Sequence, residues 1–383
     1  MLQPSAYKLI ENRSDLLDCI DHLSNKESIA IDLEFDKNRF RFGFNLCLMQ
    51  LATDEQCFLL DPLVKDVDIE LVFPLLENDQ ITKLAFEFGE DMRLLHVLGC
   101  NLTNLEDLSF ASKLLNNPQL SLVNLIMKEL NAETSKSSQS SNWFIRPLTE
   151  KQCLYAAEDV VYLHQLKNAL MKKLEGDDRM DWYLAENNFF EQQNFEVNGA
   201  HELSLSRDER DQVSQVDYHV LKKLHAFRLK EAKLRNRPEY QILHGAYMFK
   251  LVTGECTLDN FEKEAGTMRV LRNSGFKQRL HKCMKEARSE AHDLGLSKKI
   301  NAFEQPSPQE KSTMRQAQKL IDKEVEAIWK PIQLKIKERW GENVATFLLS
   351  NRIMKELADG NRSFIPDYRL NLFDELSEHT NVK

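Results

Sequence analysis

An apolar stretch near the start of the chain, "IAIDLEF" at residues 29–35, contains two carboxylates one residue apart. It predicts a buried β-strand, and because side chains alternate along a strand, Asp32 and Glu34 lie on the same face. Two like charges about 4 Å apart repel each other by about 4 kcal/mol at an effective dielectric of about 20. A fold that buries this strand therefore needs something to compensate the repulsion between the carboxylates.

Short apolar runs and helical patterns alternate after this strand, which is typical of an α/β domain. The remaining predicted strands are "NLCLMQLAT", "CFLLD" and "TKLAFE". The predicted helices cover residues 69–78, 90–98, 105–116 and 120–131. A Ser-rich loop follows at 133–142, and a long helix then begins with a capping-box pattern from Thr149 to Gln152.

Helical periodicity continues from about residue 205 to the end of the sequence, with a polar break at 303–312. We therefore expect an α/β domain at residues 1–205, a helical domain at 211–300 and a second helical domain at 305–383. The fold class is thus α/β followed by all-α.

Net charge divides the chain in a similar way. It is −16 for residues 1–210, +7 for 211–300 and 0 for 301–383. The acidic half repels a polyanion, whereas the basic middle attracts one. A solvated helix face also explains a dense basic series, but the basic character of the whole middle segment favours phosphate binding. The series comprises Lys222, Lys223, Arg228, Lys230, Lys233, Arg235 and Arg237.

The seven cysteines are scattered and include no CxxC pair. This distribution argues against a disulfide framework or a zinc site, and it favours a reducing, cytoplasmic location. The N-terminus has no signal-peptide pattern and no apolar run has the length of a membrane span, so we expect no membrane partner.

Acidic residues in apolar surroundings recur twice more. Asp91 begins a helix directly after a strand, and Tyr155 and Asp159 lie four residues apart on one helical face. Taken singly, an acid at such a position is more often a solvated residue, or one stabilised by a helix dipole, than a catalytic residue. Tyr155 alone is more often a core residue. Carboxylates that converge from separate elements instead favour hard divalent cations, Mg²⁺ or Mn²⁺, and a pair of such ions would offset the repulsion.

The order and context of these residues resemble the ribonuclease D family of 3′→5′ exonucleases, the tyrosine-bearing branch of the four-carboxylate superfamily. The segments that carry the resemblance are "IAIDLEF" with "LCLMQLAT", then "GEDMRLL", and finally "SSNWFIRPLTEKQCLYAAEDVVYL". The resemblance covers residues from about 25 to 170. It implies a ribonuclease H-like (DnaQ-type) exonuclease domain with a mixed sheet.

The resemblance also implies a role for each residue of the site. Asp32 is expected to bridge two divalent cations, while Glu34 and Asp159 complete the site that holds the attacking water. Asp91 is expected to hold the second ion at the leaving oxygen. Tyr155 is expected to orient the water, because an ordinary tyrosine pKa near 10 makes it a poor base at neutral pH.

The helical region resembles HRDC domains, the small bundles shared by helicases and ribonuclease D. "LKKLHAFRLKEAKLRNRPEYQIL" resembles the opening of one such domain, and residues 313–375 resemble a degenerate second copy. Two copies, and a motif that begins about thirty residues from Met1, favour the bacterial enzyme over the eukaryotic exosome subunit. The resemblance also implies a monomer.

The sequence departs from the family pattern at three places. Leu33 separates the first two acids where the family has Thr, Phe86 replaces a His, and Asn142 replaces the Asp of Ser-Asp-Trp. The carboxylates are complete, so we expect an active enzyme.

The function implied is a metal-dependent exoribonuclease that removes nucleoside 5′-monophosphates from RNA with a free 3′ end, such as transfer-RNA precursors. A DNA exonuclease of the same superfamily and a non-catalytic nucleic-acid-binding protein are the alternatives.

Overall fold

The apolar runs of the N-terminal half form one six-stranded sheet in a computed structural model, which describes residues 3–119, 121–132, 134, 141–196, 203–258, 269–300 and 307–378. The strands are β1 (Tyr7–Ile10), β2 (Ser28–Lys37), β3 (Phe44–Ala52), β4 (Cys57–Leu60), β5 (Thr82–Ala85) and β6 (Leu105–Asp107). Their spatial order is β1-β4-β3-β2-β5-β6. The β3–β4 pair is antiparallel, whereas β1–β4, β2–β5 and β5–β6 are parallel, so the sheet is mixed as predicted.

Strand β2 lies inside the sheet, between β3 and β5. Ile29, Ala30 and Ile31 have no solvent exposure. A strand buried on both faces has a nearly continuous apolar sequence, which explains why this run precedes the two carboxylates without alternation.

Eight helices of the N-terminal half are described. They are α1 (Arg13–Ser24), α2 (Phe73–Leu76), α3 (Gly89–Leu98), α4 (Leu108–Leu114), α5 (Leu122–Leu130), α6 (Glu150–Val161), α7 (Leu163–Gly176) and α8 (Met180–Glu191).

Three elements differ from the predictions. Strand β1 and helix α1 were not predicted, and the predicted helix at 105–116 starts as strand β6. The reason for the last difference is a non-local pairing, because Leu105 and Asp107 align with Lys83 and Ala85 of β5. Most of the predicted loop at 133–142 lies outside the described residues.

The rest of the described chain is helical. Its helices are α9 (Arg207–Asp211), α10 (Gln215–Arg235), α11 (Glu239–Ile242), α12 (Gly245–Thr253), α13 (Ser274–Asp293), α14 (Pro308–Glu324), α15 (Lys330–Trp340), α16 (Glu342–Leu348), α17 (Asn351–Ala358) and α18 (Asp367–Glu378). Across the described ranges, no helix is both long enough and apolar enough to span a membrane.

The chain divides into two compact units. The first comprises Met1–Phe35, Leu46–Glu196 and Ser312–Lys383, and the second comprises Asp36–Asn45 and Val197–Lys311. The last helices of the chain thus belong to the same unit as the sheet.

A buried ion pair connects the sheet-bearing part of the first unit to α18. Arg369 donates to both carboxylate oxygens of Glu186, at 2.7 and 2.8 Å, and both residues are buried. Breaking a buried pair by removing one partner costs about 3–5 kcal/mol.

A second contact within the first unit is made by Gly341, between α15 and α16. Gly341 adopts a positive φ of +100°, and any side chain there would collide with Asn116. The close approach at this point therefore requires glycine.

Within the second unit, the segment that follows β2 packs against the helices. Tyr240 donates its hydroxyl to the carbonyl of Arg39 at 2.9 Å, and Phe42 packs against the apolar core around α10. The second unit therefore includes Asp36–Asn45, a segment that its position in the sequence alone would assign to the α/β domain.

Candidate active site

Three carboxylates from two separate elements meet in the first unit. Asp32 and Glu34 come from β2 and Asp159 comes from α6, and one oxygen of each lies within 4.8 Å of the others. Leu33, the residue between the first two acids, is buried at 4% exposure. The arrangement agrees with the prediction that the two strand carboxylates share a face.

Asp91 reaches the same cavity from the first turn of α3. Its carboxylate is buried, and among the residues that the structure describes its Oδ1 atom has no hydrogen-bond partner. The turn before α3 is fixed by Asp107, which accepts hydrogen bonds from the backbone N–H groups of Glu87 at 2.9 Å and Phe88 at 3.0 Å. A buried residue on β6 therefore determines where the helix of Asp91 begins.

Helix α6 places Tyr155 one turn before Asp159. The helix begins with the predicted capping box, in which Gln152 donates its N–H to the Thr149 hydroxyl and accepts from the Thr149 N–H at 3.1 Å. The segment before it is anchored by Arg146, which donates to the Asp61 carboxylate at 2.8 Å and to the Cys47 carbonyl at 2.7 Å. These contacts attach the start of α6 to the sheet.

The cavity around these side chains has a volume of about 670 Å³, within the range of about 300–1,000 Å³ typical of small-ligand sites. The five predicted catalytic residues all line it. The other lining residues are Leu33, Phe35, Phe86, Glu87, Glu90, Ser121, Leu122 and Val123. The cavity thus has an acidic group of side chains and an apolar group of side chains.

The electrostatics of the cavity are dominated by burial and by repulsion among the acids. Burial raises the pKa of Asp91 and of Asp159 to about 7. The pKa values of Asp32 and Glu34 lie well above their ordinary range, first because of burial and then because of the neighbouring carboxylates. Burial and the nearby acids also raise the pKa of Tyr155, so its hydroxyl keeps its proton at neutral pH.

These features fit a divalent-cation site. The donors are all carboxylate oxygens, which Mg²⁺ and Mn²⁺ prefer, and an unpartnered buried oxygen of Asp91 has a ligand position to offer. A bound cation would also stabilise the ionised forms of the four carboxylates, which burial and the neighbouring acids disfavour.

Three basic residues on α10 form ion pairs with other described residues of the protein, and three others do not. Lys223 pairs with Glu290 at 2.8 Å, Arg228 with Glu239 at 2.9 Å and Arg235 with Glu231 at 3.0 Å.

Three lysines of the series differ from these. Lys222 lies over the ring of Tyr218, at 5.2 Å from its centroid. Lys230 and Lys233 are exposed, and in the described part of the chain neither has a carboxylate within 4.0 Å. The positive charges of these three side chains are therefore available to a ligand.

Sequence reasoning missed several residues of the cavity. Glu87 and Glu90 lie beside Asp91 in the sequence, but their positions resemble ordinary first-turn acids. Ser121, Leu122 and Val123 come from the start of α5, about thirty residues away, and no local pattern marks them as cavity residues.

Residues 7–175 match the model of a family described as 3′-5′ exonuclease. Ribonuclease D of Bartonella henselae is 33% identical to this chain over 177 residues, which cover 46% of this chain and 43% of that protein. The match therefore spans less than half the length of that relative.

Two solved structures share the fold over nearly the whole chain. Escherichia coli RNase D, described as an exoribonuclease involved in structured RNA processing, has a TM-score of 0.65 at 20% identity and covers 97% of this chain and 98% of its own. A protein from Bifidobacterium adolescentis has a TM-score of 0.74 at 15% identity, with 98% and 96% covered. At these identities the two structures support the fold: a ribonuclease H-like domain with a helical C-terminal region. The family match shows that residues 7–175 form a 3′-5′ exonuclease domain, and over this part the chain is similar to ribonuclease D.

Proposed function

We propose that this protein is a metal-dependent 3′→5′ exoribonuclease that releases nucleoside 5′-monophosphates from RNA with a free 3′ end. The observation that carries the proposal is the convergence of Asp32, Glu34, Asp91 and Asp159 in one cavity of an exonuclease domain. Tyr155 lines the same cavity. Precursors of transfer RNA and of other stable RNAs are the proposed substrates, in line with the description of the Escherichia coli relative as a processing enzyme.

Each side chain of the site has a proposed task. Asp32, Glu34 and Asp159 would hold one divalent cation, and Asp91 would hold a second together with Asp32. Two bound cations supply charge that stabilises the attacking and the leaving oxygen of a phosphodiester.

Tyr155 orients the attacking water through its hydroxyl, because its raised pKa makes it a hydrogen-bond donor rather than a base. The apolar side of the cavity, which includes Phe35, Phe86 and Leu122, receives the terminal base or sugar. The acidic side of the cavity thus serves the reaction, and the apolar side holds the terminal nucleotide.

The helical region has the proposed task of substrate capture. We assign residues 211–300 and 305–383 to two HRDC-type bundles and expect exposed lysines of α10, Lys222, Lys230 and Lys233, to contact RNA phosphates. The seven cysteines, six of them buried, form no disulfide among the described residues, which suits a reducing compartment such as the cytoplasm.

The proposal is tested with RNA and DNA oligonucleotides of matched sequence, incubated with the purified protein in Mn²⁺, in Mg²⁺ and in EDTA. The expected result is stepwise shortening of RNA from its 3′ end in either metal and none in EDTA. Faster shortening of the DNA would favour the DNA exonuclease. Binding of both without shortening in any metal would favour a non-catalytic protein.

A further inference from the structure

Glu87 is one of two further acids, with Glu90, that line the active-site cavity. It lines the cavity together with the four site carboxylates, but it does not belong to the group of Asp32, Glu34 and Asp159 whose oxygens lie within 4.8 Å of one another. Its side chain is 46% exposed. The carboxylate is therefore available to a ligand in the cavity without being part of the proposed metal site.

The backbone at Glu87 is held in a rare conformation. Its φ angle is +55°, in the left-handed region that non-glycine residues seldom adopt. Asp107 is buried at 2% exposure and accepts the N–H groups of Glu87, Phe88 and Ser109 at 2.9, 3.0 and 2.9 Å. The position of Glu87 is thus fixed by the same contacts that set the start of α3 and with it Asp91.

Few donors or cations of the described residues lie close to the carboxylate oxygens of Glu87. Among the described residues it accepts no hydrogen bond, and Lys113 Nζ lies 4.0 Å away, at the limit of an ion pair. Glu90, which lines the same cavity, instead accepts a hydrogen bond from Arg93 at 2.6 Å. Glu87 therefore has more capacity than Glu90 to accept a hydrogen bond from a ligand.

We propose that Glu87 selects the chemical state of the RNA 3′ end, by accepting a hydrogen bond from a hydroxyl of the terminal ribose. The inference rests on the proposed function, because it assumes that the terminal nucleotide enters this cavity. An ionised carboxylate is an acceptor only, so it pairs with a hydroxyl donor. A terminal phosphate carries a charge of about −1.5 to −2 and is repelled by the same carboxylate. Glu87 thus favours a hydroxyl end over a phosphorylated one.

The test compares RNA oligonucleotides that end in a 3′-hydroxyl or in a 3′-phosphate, in saturating Mn²⁺, for the wild type, Glu87→Gln and Glu90→Gln. The two variants each remove one negative charge from the cavity, so Glu90→Gln is the matched control. The quantity measured is the ratio of kcat/KM for the two ends. Thermal unfolding of each variant checks that the fold is retained.

The expected result is a wild-type preference for the hydroxyl end that Glu87→Gln reduces about tenfold or more, the size of one charge-assisted hydrogen bond. The glutamine amide can donate to a phosphate, so the rate on the phosphorylated end should rise. Glu90→Gln should keep the wild-type preference within about threefold. Equal ratios for the wild type and Glu87→Gln would overturn the inference, and so would an equal loss of preference in both variants. A wild type that shortens no hydroxyl-ended RNA would instead overturn the proposed function.

Discussion

At the scale of single residues, the protein brings together four carboxylates whose charges oppose its own folding: Glu34 and Asp91 are buried, and Asp32 and Asp159 are half-buried. The pKa values of Asp32, Glu34, Asp91 and Asp159 are all raised in the folded state, to about 7 for the last two. In the unfolded chain these groups titrate near 4. The ionised site is therefore stable only when something else neutralises it, and a divalent cation is the species that its oxygens fit.

Without metal, the protein should lose stability as the pH rises from about 4 through about 7. Between these values the folded state binds more protons than the unfolded state, so the free energy of unfolding falls with pH. The measurement is the unfolding temperature in EDTA over this range. Asp91→Asn should make the decline shallower, whereas Asp18→Asn on the exposed side of α1 should not. A decline equally steep in Asp91→Asn and the wild type would contradict the assignment.

Tyr155→Phe should retain metal binding and lose most of the catalytic rate, because it removes only the hydroxyl that orients the water. The measurement is single-turnover RNA cleavage across pH 6–9, with Mn²⁺ affinity measured by calorimetry. Tyr162→Phe, a buried tyrosine that does not line the cavity, is the matched control. Wild-type rates for Tyr155→Phe at every pH would assign Tyr155 to the core alone.

At the scale of elements, the site is built by β2, α3 and α6, and two of these could be predicted in detail. The apolar run of β2 and the capping box of α6 are local signals, so the sequence was sufficient to predict these two elements. The four acids expected on β2, α3 and α6 line one cavity, and their role in catalysis stays a prediction. Strand β6 could not be predicted, because its pairing with β5 is non-local and its sequence resembles the first turn of a helix. The role of Asp107 was missed for the same reason.

Asp107→Asn should weaken both the fold and metal binding. The amide replaces one acceptor oxygen of a buried carboxylate that serves three N–H groups, and an unsatisfied buried group costs about 1–3 kcal/mol. We expect a lower unfolding temperature and weaker Mn²⁺ binding in calorimetry, because the start of α3 is released. Asp68→Asn, the same substitution at an exposed N-cap that does not line the cavity, is the control. An unchanged Mn²⁺ affinity in Asp107→Asn would show that α3 does not need this anchor.

At the scale of the whole molecule, net charge differs between the part that contains the cavity and the helical middle, which we propose captures the substrate. The first 210 residues carry a net charge of −16 and include every residue of the cavity, whereas residues 211–300 carry +7. The sequence predicted this division of charge, but it did not predict that three of the six basic residues on α10, Lys223, Arg228 and Arg235, pair with carboxylates. Side-chain pairing between helices depends on tertiary contacts that periodicity does not describe.

Two double variants of α10 test substrate capture. Lys230→Ala with Lys233→Ala removes exposed lysines, and Lys223→Ala with Arg235→Ala removes two cations already paired within the protein. Both double variants remove two positive charges, so the net charge of the protein changes by the same amount. For single-stranded RNA, the first pair should reduce the slope of log affinity against log salt by about 0.7 per lost phosphate contact, and the second by much less. Equal slopes for both doubles and the wild type would make α10 a solvated surface.

We propose that the four converging carboxylates perform metal-dependent removal of the 3′-terminal nucleotide. The most direct measurement is a single-turnover time course on RNA labelled at its 3′-terminal nucleotide, comparing the wild type with Asp32→Asn in Mn²⁺. Asp32→Asn removes one charge and almost no volume. We predict that the wild type releases the label as nucleoside 5′-monophosphate, and that Asp32→Asn nearly abolishes the release while it keeps the fold. Near-wild-type release by Asp32→Asn, or release of a 3′-phosphorylated product, would contradict the account.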